Sequence, residues 1–322
     1  MLAAKLELQD AYSHADSKEY DKHKDEVNCL AFSPDLEMMV TGADDGRVRI
    51  FNRVKGQLVT RLFGHQGAVK GVAVSLNSKF IASAAMDGFV HVWQTCDAQL
   101  IHKLTGHASG VETVAFSHDA SLLCSGGWDS TAIIWNLKAG TPQNILTGHK
   151  KAVICSAFSP KEDLLATGSW DNHIRLWTLG KSKNAGMCQV LKGHGAAVHT
   201  VTFSKKGMLA SGSHDKTVLL WNPRGAILLH ELKAHTGWVR SLAFNVDGTI
   251  LASVSDDETC KLWDVITGEC AKTMELSASI GQVHCVAFGG DDRLIAGGAN
   301  ILRGKKKKSD SQEDAESVSK KD

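Results

Sequence analysis

Histidines at positions 23, 65, 107, 149, 194 and 235 recur every 41–45 residues, and each interval also holds a serine or threonine and an aspartate. Those three types are the parts of a nucleophilic triad, in which a carboxylate orients the imidazole that takes a proton from the attacking hydroxyl. Here the set recurs unit after unit. An active site has no reason to be copied along a chain, whereas a lock tying one turn to another is needed in every structural unit. Six imidazoles a whole unit apart also cannot converge on one metal ion. No enzyme, cofactor or metal is expected.

The composition bounds what positions these residues. With 322 residues, 43% of them hydrophobic, the chain can bury a large core. A formal net charge of +1 gives no global field toward nucleic acid or an acidic membrane. No stretch has the apolar length that spans a bilayer, and "MLAAKLELQD" lacks the apolar segment of a secretory signal. The eight cysteines are scattered without a CxxC pair, and four lie in apolar runs such as "VNCLAF" and "LLCSGG". They read as buried reduced thiols in an intracellular protein, cytoplasmic or nuclear.

Self-similarity sets the architecture. "FGHQGAVKGVAV" at 63–74, "TGHASGVETVAF" at 105–116, "TGHKKAVICSAF" at 147–158, "KGHGAAVHTVTF" at 192–203 and "KAHTGWVRSLAF" at 233–244 are one motif, with an earlier copy at 21–32 and a later one at 278–288. After each histidine come an apolar run, a polar turn, two further β-branched runs and a last run leading to the next copy. Four short strands per unit, radially repeated, make a propeller blade. Helical periodicity is absent.

On these motifs the sequence resembles the WD40-repeat family, with Gly-His opening each unit and a tryptophan near its end. The resemblance implies an all-β fold, a seven-bladed WD40 β-propeller over residues 1–304. It also implies a hydrogen-bonded quartet of His, Ser/Thr, Asp and Trp in each blade. Residue by residue, blade two supplies His65, Ser83, Asp87 and Trp93, and blade three His107, Ser125, Asp129 and Trp135. Blade four supplies His149, Thr167, Asp171 and Trp177; blade five, His194, Ser211, Asp215 and Trp221; blade six, His235, Ser253, Asp257 and Trp263. Blade one has His23, Thr41 and Asp45, but Phe51 stands where the tryptophan should be and cannot donate a hydrogen bond.

The seventh unit is incomplete, because Ser279 replaces its histidine and the apolar pattern stops near Gly304. "KLELQ" at 5–9 and "DSKEYD" at 16–21 fall at the third- and fourth-strand positions counted back from His23. The N-terminus is therefore expected to complete blade seven beside the C-terminal strands, which removes exposed sheet edges. Residues 305–322, charged and Ser-rich, read as a disordered tail. Its "KKKKSD" suits an import signal or simply a solubilising tail.

Five of the eight tryptophans are quartet residues; Trp128, Trp170 and Trp238 are surplus. Trp128 and Trp170 immediately precede turn aspartates, and Trp238 lies in the loop after His235. In an antiparallel blade those turns and loops emerge on the same side, so all three rings map to one face. The resemblance implies that WD40 propellers commonly take peptides there, around the channel mouth. The residues expected to meet a partner are Met86, Trp128, Trp170 and His214 before the turns, with Lys70, Glu112, Ile154, His199 and Arg240 in the first strands, and Trp238. The alternative is that the rings merely cover a neighbouring blade. The leading function is a scaffold or adaptor, a monomeric propeller within a larger complex, binding proteins through a peptide-like segment. RNA or ribonucleoprotein binding through Lys70, Arg240 and the rings is the competing class, weakened by Asp44, Glu112 and Asp256 on the same face.

Overall fold

A computed structural model describes residue 23 and residues 25–180, 187–276, 282–288 and 294–299. Among these, the chain forms six four-stranded antiparallel sheets and one two-stranded sheet. Blade three is typical: Val111–Phe116, Leu122–Gly127, Ala132–Asn136 and Thr141–Leu146 pair in that order. The first strand of each blade packs against the first strand of the next, and Gln282–Phe288 stands between the first strands of blades six and one, so seven inner strands line a ring. The second and third strands are almost wholly buried and the fourth is largely exposed, which is why apolar density falls away at the end of each unit.

The turn between second and third strands fixes where the site residues stand. After each turn aspartate the next residue is left-handed. It is Gly46 or Gly88 in the first two blades and Ser130, Asn172, Lys216 or Glu258 in the others. That conformation is costly for a residue with a Cβ. In all six blades the carboxylate offsets it by accepting the N–H two residues on, as Asp45 does from Arg47 at 3.0 Å and Asp171 from His173 at 3.1 Å.

In four of the six blades a glycine at one position of the second strand meets the following blade, where blade two has Ala84 and blade six Val254. A Cβ added at Gly42, Gly126, Gly168 or Gly212 would lie 2.5, 2.6, 2.7 or 2.6 Å from Cγ1 of Val69, Val153, Val198 or Val239 in the following blade. Each of those valines is fully buried. Gly212→Ala should therefore cost about 1–3 kcal/mol through overpacking, read as a drop in the midpoint of urea unfolding. A change within experimental scatter would mean that neighbouring blades can slide apart freely.

The expectation of seven blades is corrected to six. Among the described residues the seventh unit contributes Gln282–Phe288 and Leu294–Ala299, an antiparallel pair lying between blade six and blade one. Val283 and Val286 pack with Val254 and Leu262 of blade six, and Ser241 Oγ accepts the Val286 N–H at 3.2 Å. The unit lacks the Asp and Trp that would lock a third strand onto these two. The closing strands expected at 5–9 and 16–21 and the tail at 305–322 lie outside the described residues.

Candidate binding face

Each quartet is one chain of hydrogen bonds. In blade three Trp135 Nε1–H donates to Ser125 Oγ at 2.8 Å, Ser125 Oγ lies 2.8 Å from His107 Nε2, and His107 Nδ1 lies 2.9 Å from Asp129 Oδ2. Every atom is satisfied if the neutral ring carries its proton on Nδ1. The same links run through Trp93, Ser83, His65 and Asp87, and through Trp177, Thr167, His149 and Asp171. They recur through Trp221, Ser211, His194 and Asp215, and through Trp263, Ser253, His235 and Asp257. In blade one His23 Nε2 meets Thr41 Oγ1 at 2.7 Å, but Nδ1 is 3.3 Å from Asp45, the loosest of the six.

The aspartates also take a backbone N–H from the loop after the histidine, as Asp257 does from Thr236 at 2.9 Å. Burial, the largest influence on Asp257, opposes its ionisation, yet Thr259, the Thr236 N–H and His235 together hold it down at about 2. Burial pushes His65, His149 and His235 below the ordinary imidazole range, against the pull of their aspartates. A neutral imidazole spent on both sides has no lone pair left for substrate. These residues lock the entering loop to the turn on one side of each blade.

That lock carries the face with it. In every inner strand the register shifts between the first residue and the third: Val27/Cys29, Val69/Gly71, Val153/Cys155, Val198/Thr200, Val239/Ser241 and Val283/Cys285. In blade three the shift falls between the partners Gly126 and Gly127. The unpaired residue of each bulge is Asn28, Lys70, Glu112, Ile154, His199, Arg240 or His284. A bulge re-aims its extra side chain out of the strand's alternation, and here several reach the residue that precedes a turn aspartate. Asn28 Nδ2 donates to Asp44 at 2.8 Å, Glu112 accepts from Trp128 Nε1 at 2.6 Å, and Arg240 forks onto Asp256 with two bonds of 2.7 Å.

The structure groups the expected partner-binding residues into three clusters. Lys70 Nζ reaches across to blade one, 2.8 Å from Asn28 Oδ1 and 3.1 Å from Asp44 Oδ1. Trp128 and Trp170 meet edge to face, with centroids 5.0 Å apart at 67°, and Met86 lies beside Gly110 next to them. Trp238 stacks on His214 at 4.1 Å, His214 lies 5.1 Å from His199, and Arg240 sits 5.2 Å over the Trp238 ring. Burial, then Arg240, His214 and His284, hold the His199 imidazole down at about 3, so it stands neutral. Ile154 occupies its bulge position without a ring contact among the described residues.

Sequence reasoning missed the side-chain partners of this face. It offered Lys70 and Arg240 as cations for phosphates, whereas both are already held by carboxylates. It also passed over Asn28 and Asp44 as a pair. The available signal was the offset of 16 residues between bulge and turn positions shared by Asn28–Asp44, Glu112–Trp128 and Arg240–Asp256.

A family model described as "WD domain, G-beta repeat" matches residues 16–52, 56–94, 98–136, 140–178, 186–222 and 226–264, well over half of the chain. Among curated proteins, the chain is similar to nuclear distribution protein PAC1 of Tuber melanosporum, 47% identical over 73 residues, 22% of this chain and 16% of that protein. It is similar to nuclear distribution protein nudF 2 of Aspergillus clavatus, 46% identical over 67 residues, 20% of this chain and 15% of that protein. PAC1 of Arthroderma otae is 48% identical over 67 residues, 20% of this chain and 14% of that protein. The matched stretch thus spans less than a fifth of each of these relatives.

Proposed function

The chain belongs to the WD40-repeat family, and on that premise we propose that it is a non-catalytic adaptor that binds protein partners through a peptide-like segment laid on the quartet side of the ring. The observation that carries this reading is the Trp128–Trp170 pair. Two large rings, 42% and 38% exposed, touch each other at the channel mouth rather than filling a core. Tryptophan is the residue most enriched at binding hot spots. Support also comes from the similarity to nuclear distribution proteins.

The hydroxyl, imidazole and carboxylate groups are consumed by the turn locks, which speaks against catalysis there. Burial pushes the Cys124 and Cys260 thiols up to about 12, far from nucleophilic. No helix among the described residues is long and apolar enough to cross a membrane. Nucleic acid is the weaker occupant, since Lys70 and Arg240 are neutralised by Asp44 and Asp256. A monomeric propeller inside a larger assembly, in the cytoplasm or nucleus, fits an adaptor with one exposed face.

The test selects binders from a displayed library of peptides and compares wild type with Trp128→Ala/Trp170→Ala, with circular dichroism first showing that both fold. The double variant should lose at least tenfold in affinity for the selected peptides. Unchanged binding by the folded variant would make the two rings cover, with the binding surface elsewhere. RNase-sensitive partners in a parallel pull-down would favour the ribonucleoprotein class.

A further inference from the structure

Three carboxylates stand at the bulge and turn positions around the mouth: Asp44, Glu112 and Asp256. Asp44 holds the Lys70 ammonium at 3.1 Å, and Asp256 holds the Arg240 guanidinium through two bonds of 2.7 Å. Glu112 accepts only the Trp128 Nε1–H at 2.6 Å, and among the described residues no cation pairs with it. The exposed rings divide in the same way. Arg240 lies 5.2 Å over Trp238 and Arg47 lies 5.4 Å over Phe63. Trp128 and Trp170 carry no cation among the described residues. Lys150 and Lys151, in the loop leading into blade four, place neither side chain on those rings nor on Glu112.

Blade six therefore shows what fits between an indole and a carboxylate at this mouth. Trp238, Arg240 and Asp256 are a ring, a guanidinium and a carboxylate in contact. Blades three and four present the ring pair and the carboxylate with the cation missing. We propose that Trp128, Trp170 and Glu112 are a receptor for a cationic side chain, arginine foremost, of the peptide bound at this face. The proposal rests on the peptide-binding reading above and names the chemistry recognised there. The two indoles meet at 67°, giving two walls whose π faces attract a cation. The Trp128 N–H fixes one Glu112 oxygen and leaves the other to accept from a guanidinium.

The test uses indole N–H resonances of the whole chain, titrated with N-acetyl-arginine amide and with its neutral isostere N-acetyl-citrulline amide, in wild type and Glu112→Gln. Glutamine keeps an acceptor for Trp128, so the pair stays in place. The Trp128 and Trp170 resonances should move with the arginine probe, at least fivefold more weakly with citrulline and at least fivefold more weakly in the variant. The five buried quartet tryptophans should stay still, reporting an intact fold. Equal response to both probes, no response, or no effect of Glu112→Gln would overturn the receptor. If selected peptides bind through Trp128 and Trp170 yet need no arginine or lysine, the receptor falls while the binding face stands.

Discussion

Trp135→Ala should lower the unfolding free energy by about 3–5 kcal/mol, the range for emptying a buried aromatic site. Trp135 is 1% exposed and packs against Leu123, Ile133 and Val111. Its ring edge is so close to the loop that a Cβ at Gly106 would lie 2.9 Å from it. Alanine leaves a void that the sheets on either side cannot close, and it takes a donor from Ser125. Trp135→Phe separates the two effects. Phenylalanine keeps most of the ring and removes the N–H, while Ser125 keeps His107 at 2.8 Å. Its cost should be about 1–2 kcal/mol, a lost buried hydrogen bond and a little volume. Blade one is the natural precedent, with Phe51 1% exposed at the equivalent place. Equilibrium urea unfolding of the three proteins decides it. If phenylalanine costs as much as alanine, the N–H to Ser125 holds the blade and the ring volume does not.

What was legible in the sequence is what repeats. The histidines, hydroxyls, aspartates and tryptophans recur at fixed offsets because each blade solves the same problem of tying its entering loop to its turn. One solution, His107 to Asp129 and Ser125 to Trp135, is therefore written five times with small changes. The positions of Lys70, Glu112, Ile154, His199 and Arg240 on one face were legible too, but the bulges that place them and the side chains they pair with escaped for the opposite reason. A one-residue register shift leaves no compositional mark when the side chain it releases is Asn28 in one blade, Glu112 in another and Arg240 in a third. Variation itself was the signal, since a scaffold position with a structural task would repeat. The pairing of Lys70 with Asp44 was hidden because the partners lie in different blades, joined by the packing of blade two's first strand on blade one rather than by any spacing within a unit. The seventh unit was over-read. Among the described residues only its first two strands follow the repeat, and the closing strands expected at 5–9 and 16–21 lie outside them.

Lowering the pH from 7 to 5 should widen the stability advantage of His91→Leu over wild type by about 2 kcal/mol. His91 is 1% exposed, stacks on His65 at 3.9 Å, and neither ring nitrogen has a protein hydrogen-bond partner. Burial above all, then the neighbouring His65 and Lys103, hold it down at about 4, with Asp87 pulling the other way. The unfolded chain returns it to about 6.5. Between those values the unfolded state binds the extra proton, so wild-type stability falls as pH drops below 6.5. Leucine has no proton to bind. It also suits the place, because the third-strand residue opposite the quartet hydroxyl is Ile133 in blade three and Leu219 in blade five. At pH 7 the variant should match wild type or exceed it slightly, since no protein hydrogen bond is lost. His199, held near 3, is present in both proteins and cancels from the difference. Urea midpoints at pH 7, 6 and 5 measure the effect. Parallel lines for the two proteins would mean that His91 protonates as readily in the folded blade as in the unfolded chain, and that blade two opens around it.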